Sequence, residues 1–72
     1  MKSIAQRIED NLLAEQRVGY ASCKKLSDGA WSTRKLNYYA ELLHKNIRTL
    51  EDVQFHCGFI KYIAELGEID AL

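Results

Sequence analysis

Apolar and small residues recur at Ile4, Ile8, Leu12, Gly19, Cys23 and Leu26 in the first third of the chain. Their spacing follows a helical period. Glu15 and Gln16 interrupt the stripe in its middle. The pattern predicts a helix from about residue 2 to about residue 26. The run from Ser27 to Trp31 follows. Ser, Asp and Gly together favour a turn there, and Gly29 can take a positive φ. Asp28 or Ser32 then caps the next helix by accepting a bond from its free amides.

A second stripe holds one register much longer. Leu36, Tyr39, Leu43, Asn46, Leu50, Val53, Cys57, Ile60 and Ala64 step by threes and fours. One competing signal lies inside it. Thr49 to Asp52, "TLED", reads as a helix start with Thr49 as cap, which predicts a break near that residue. The stripe runs on through Thr49 with no Gly or Pro nearby, so the favoured reading is one helix from about residue 32 to about residue 66. Gly67 is its expected C-terminal cap, with residues 67–72 as a short tail.

The fold class expected is all-α, a single domain over residues 1–72 built as an antiparallel helical hairpin. A five-residue link suits antiparallel neighbours, and facing residue numbers then sum to about 59. Gly19 would face Ala40, and Glu15 would fall near His44. The helices would be roughly 37 Å and 52 Å long, leaving an overhang of about 15 Å. That overhang is apolar on two sides. Val53, Cys57, Ile60 and Ala64 lie on one, and Phe55, Phe59, Tyr62, Ile63 and Leu66 on the other. A helix apolar on two faces is buried on two faces, which one short neighbour cannot achieve. The hairpin is therefore expected to assemble into an oligomeric bundle. Its homo-oligomer interface would comprise Val53, Phe55, Cys57, Phe59, Ile60, Tyr62, Ile63 and Leu66.

Composition strengthens that expectation. The chain has 72 residues, of which 47% are apolar. That is too apolar for a disordered chain, yet so short a chain hides little surface on its own. Two cysteines make no disulfide framework. The N-terminus has no apolar signal-peptide region, and no apolar run approaches the roughly 18 residues of a membrane span. The expectation is a cytoplasmic protein with no membrane partner, its thiols kept reduced.

Net charge is zero but uneven. Residues 18–36 carry +3, from Lys24, Lys25, Arg34 and Lys35 against Asp28. Residues 51–72 carry −4, from Lys61 against Glu51, Asp52, Glu65, Glu68 and Asp70. Lys24, Lys25, Arg34 and Lys35 cluster around Trp31 at the hairpin tip. Such a patch can contact an acidic protein surface through the indole, bind nucleic acid, or be a solvated end. The basic tip of one copy could also meet the acidic end of another, head to tail.

The stretch "QFHCGFIKYI", Gln54 to Ile63, raises the question of thiol or metal chemistry. On a helix His56 and Cys57 diverge by about 100° and do not converge on one point. Further ligands would have to be His44 and Cys23, and the hairpin places Cys57 level with Lys2, about 30 Å from Cys23. A zinc ligand must lie within about 2.3 Å of its ion, and a disulfide needs Cα atoms within about 7 Å. No intrachain metal, disulfide or cofactor is therefore expected, which leaves only a metal site shared between chains. Cys57 is read as a small core residue. A mid-helix cysteine on an apolar stripe also lacks the setting of a nucleophile.

The segment "YYAELLHKNIRTLEDVQFHCGFIKYI", Tyr38 to Ile63, resembles the small all-helical accessory proteins encoded among tailed-phage head and tail genes. The resemblance rests on size and helix pattern. It implies a structural role in many copies, docked on a larger assembly such as a virion head or connector, and it carries over no site residue. "QRIEDNLLAEQRVGYASCKKL" resembles the first helix of the all-helical chorismate mutases. The chain is short for that family's three-helix protomer and shows no later Arg/Gln set for a dicarboxylate, so no enzyme is expected. In architecture the hairpin also resembles small RNA-binding four-helix-bundle dimers. The alternative function is accordingly a dimeric nucleic-acid-binding regulator using the basic tip.

Overall fold

The structure is a computed structural model that describes residues 3–71, the side chains of residues 8, 9 and 68–71 excepted. It is all-α, with three helices: α1 (Ile4–Asp28), α2 (Thr33–Lys45) and α3 (Leu50–Ala71). Ser3 caps α1, its hydroxyl accepting from the Gln6 amide at 3.2 Å. α1 ends in a Schellman motif. The Trp31 amide donates to the Leu26 carbonyl and the Ala30 amide to that of Ser27, each at 3.1 Å. The positive φ expected at Gly29 falls instead on Ala30, at 73°, while Gly29 sits at −81°. The cause is that α1 runs to Asp28, past the predicted end. Gly29 becomes the cap residue, and the left-handed position passes to its neighbour. Of the two candidate caps for α2, Ser32 takes the role, accepting from the Lys35 amide at 3.2 Å.

The single long second helix is not present; the competing signal at Thr49 prevails. Thr49 Oγ1 accepts from the Asp52 amide at 3.2 Å, and the Asp52 carboxylate accepts from the amides of Thr49 at 3.2 Å and Arg48 at 3.1 Å. This reciprocal capping box satisfies the free amides that a helix start leaves orphaned. Asn46 closes α2, its side-chain amide donating to the Leu42 carbonyl at 2.7 Å. At the far end α3 continues through Gly67 to Ala71, so Gly67 does not cap it and residues 67–71 are no separate tail. A glycine inside a helix costs about 1 kcal/mol relative to alanine, too little to stop a helix supported elsewhere.

The break lets α3 fold back. It runs antiparallel to α2: the Tyr39 ring lies 5.6 Å from that of Phe59, and the His44 ring 5.3 Å from that of His56. Against α1 the side-chain pairs run from Gln16 with Gln54 to Tyr20 with Tyr62 and Glu65, so α1 and α3 cross with the same overall sense. α3 packs on both other helices, which touch each other sparsely. Cys23, Leu36, Ala40, Phe59 and Ile63 form the buried core. Leu26, Trp31, Leu43, Phe55, Tyr62 and Leu66 pack around it.

Candidate functional site

Two glycines allow the α1–α3 seam to close. A Cβ on Gly19 would lie 2.0 Å from the Phe55 carbonyl oxygen, and one on Gly58 1.9 Å from that of Gln16. Gly19 thus serves close approach to α3, not to Ala40. Beside this crossing Gln16 donates to the Gln54 side chain at 2.6 Å. The Tyr20 hydroxyl donates to the Glu65 carboxylate, a bond that raises the phenol's pKa, with burial adding to the rise. A shallow groove beside the crossing is lined by Leu13, Gln16, Arg17, Tyr20, Lys61 and Glu65.

The predicted oligomer interface is placed differently. Phe59 and Ile63 are buried in the core, and Phe55, Tyr62 and Leu66 pack against it. Val53 and Cys57 are half-buried, and only Ile60 of the set is classed as exposed. An overhang needs a continuous second helix, and α2 and α3 are separate. Once the chain turns at residues 46–49, α3 is covered by α1 on one side and α2 on the other, and its two apolar faces find partners within one chain.

The predicted basic patch does gather at the turn. Lys24, Lys25, Arg34 and Lys35 are exposed and Trp31 is half-buried. The Lys35 ammonium lies 4.2 Å from the indole centroid, and the Trp31 ring meets that of Tyr39 edge-on at 5.9 Å. A cation–π contact and an aromatic neighbour therefore hold the indole in place. Next to it α2 presents Tyr38, Tyr39 and Leu42, all exposed. Residues 38 and 42 are one turn apart and share a face. The stripe read from the sequence holds Tyr39 but leaves out Tyr38 and Leu42, so it does not mark this surface. The signal that could have found it was the apolar pair at 38 and 42 outside that stripe.

The seam between α2 and α3 holds a second feature the sequence reading separated. His44 faces His56 and not Glu15. Burial, then the neighbouring His44, push the His56 pKa down, against a smaller opposing pull from the Ala40 backbone. Among the described residues no group of three or more His, Cys, Asp or Glu is placed to hold a metal ion. Cys23 and Cys57 are both free. Burial pushes the Cys23 thiol up to about 11, so it stays protonated at neutral pH. The long separation expected between the cysteines assumed the two-helix hairpin and lapses with it. Among the described residues no helix is long and apolar enough to cross a membrane.

These observations define a small all-α protein of three helices with an aromatic, basic-edged face on α2. No family model matches the chain, and neither a curated protein nor a solved structure matches it.

Proposed function

We propose that this chain is a non-enzymatic assembly protein that pairs with a second copy of itself and works within a larger complex. Surface area is the observation that carries this reading. A compact monomer of 8.3 kDa exposes roughly 4600 Å²; this chain exposes 5620 Å². The excess, about 1000 Å², is more than the roughly 800 Å² each partner contributes to a stable interface. The radius of gyration agrees, at 13.6 Å against about 11 Å for a compact domain of this length. The α2 face is the best-suited contact. Tyrosine and tryptophan beside a cation are typical anchors of interfaces, and Tyr38 is 64% exposed.

Membership of a phage virion or connector is the finer form of the proposal, supported by the sequence resemblance alone. Light scattering coupled to size exclusion tests the assembly reading, with a dimer or larger species expected at micromolar concentration. A monomer that persists at high concentration overturns it. The nucleic-acid alternative loses support from the turn, where Lys35 already covers the indole. Its sign would be RNA or DNA binding that weakens steeply with salt and is lost in Lys24→Glu/Lys25→Glu.

A further inference from the structure

We propose that His44 and His56 form a two-imidazole site for a late first-row transition cation, Zn²⁺, Ni²⁺ or Cu²⁺, at the seam of α2 and α3. The first argument is geometric. An imidazole centroid lies about 3.2 Å from a zinc ion bound at 2.0–2.1 Å, so two imidazoles about a tetrahedral ion have centroids roughly 5.2 Å apart. The observed separation is 5.3 Å, with the rings inclined at 47°.

Accessibility is the second argument. His44 is exposed, so its ring turns freely to bring a nitrogen onto a point shared with the half-buried His56. A ligating histidine almost always donates its other ring N–H to a carbonyl or carboxylate, which fixes the ring's orientation, and Ala40 and Glu41 line the same groove.

Room for the ion is the third. The pair opens on a groove of about 290 Å³ also lined by Asn37, Glu41, Lys45 and Ile60. Two protein ligands leave the remaining coordination positions to water. Imidazole prefers these cations, whereas Mg²⁺ and Ca²⁺ prefer oxygen. Because the ligands come from two helices, a bound ion ties α2 to α3 and stabilises the folded chain.

The test is thermal unfolding of the full chain, free of chelator, with Ni²⁺ and Zn²⁺ and with Mg²⁺ as control. A cation held about 100-fold above its Kd should raise Tm by on the order of 10 °C, and excess chelator should reverse the rise. His44→Ala and His56→Gln should each abolish the response to Ni²⁺ and Zn²⁺, and Cys57→Ser should keep it. His44 is exposed, so its variant folds; the ¹⁵N shifts of the imidazoles in the unaltered chain give a readout independent of any variant. No Tm rise, a rise shared by Mg²⁺, or a rise that survives either histidine substitution overturns the proposal.

Discussion

Ala30 occupies the position after a helix end where glycine belongs. Its φ of 73° places a Cβ in the left-handed region, while Gly29 one residue earlier spends its freedom on an ordinary φ of −81°. An L-residue there carries a steric penalty of about 1–2 kcal/mol that glycine does not. Ala30→Gly should therefore stabilise the chain by about 1 kcal/mol, read as a higher urea midpoint at unchanged slope. An unchanged or lower midpoint would show that Ala30 is not held in that conformation. The sequence signalled the turn but misplaced it by one residue. Composition marks which residues permit a positive φ. Where the helix ends decides which residue receives it, and the end was set by the Trp31 and Leu26 pairing across the cap.

The break between α2 and α3 is the element on which the fold turns. It was legible in "TLED", yet the apolar stripe argued for continuity, although beyond the break that stripe is not the core side: Leu50, Ile60 and Ala64 are exposed, while Phe59 and Ile63 are buried. Periodicity marks where apolar residues recur, not which helix covers them, so Phe59 and Ile63 read as uncovered although they share one core with Cys23 of α1 and Leu36 and Ala40 of α2. The capping box has a pH signature. Amides of Arg48 and Thr49 and the Thr49 hydroxyl hold the Asp52 carboxyl below the usual carboxylate value, against a smaller opposing effect of desolvation; the Arg48 amide contributes most. The folded chain thus binds fewer protons than the unfolded one. The stabilisation is present above the unfolded value of about 3.9 and is lost as pH falls through the lower folded value. Asp52→Asn should flatten that part of the acid unfolding curve followed by circular dichroism; an unchanged curve would count against the box. Two glycines make the same point about pairing. Gly58→Ala drives a methyl into the Gln16 carbonyl and should cost on the order of 2–3 kcal/mol. Gly67→Ala meets nothing within 4 Å and should stabilise by up to about 1 kcal/mol. Equal effects from the two in denaturant titration would contradict the close α1–α3 crossing.

At the scale of the molecule, the parallel sense of α1 and α3 changes how charge is laid out. Glu65 binds Tyr20, and Leu66 packs on the same core as Leu26 and Trp31. Glu65, from the acidic end of α3, is thus engaged within one chain and is not free for a head-to-tail contact; Glu68 and Asp70 lie outside the described side chains. Self-association then draws on apolar surface, and the exposed positions are spread over the molecule: Ile4, Leu13 and Val18 on α1, Tyr38, Tyr39 and Leu42 on α2, Leu50 and Ile60 on α3. Tyr38 and Leu42 lie on the same helix as Tyr39, whose ring meets the indole, whereas Ile4 stands at the far end of α1, which supports a contact on α2. In Tyr38→Glu/Leu42→Glu both side chains point away from the core, so the helical spectrum should be retained. An interfacial tyrosine anchor is worth about 2 kcal/mol or more, which raises the dissociation constant at least about 30-fold. Sedimentation across a concentration series should show the double variant as a monomer where the parent chain associates, and its Tm should cease to depend on concentration. Ile4→Glu is the counterpart, since a charge at that end of α1 leaves the α2 face intact. If Ile4→Glu disperses the assembly and the α2 variant does not, the contact belongs to α1, and the aromatic face at the turn serves the chain's own packing.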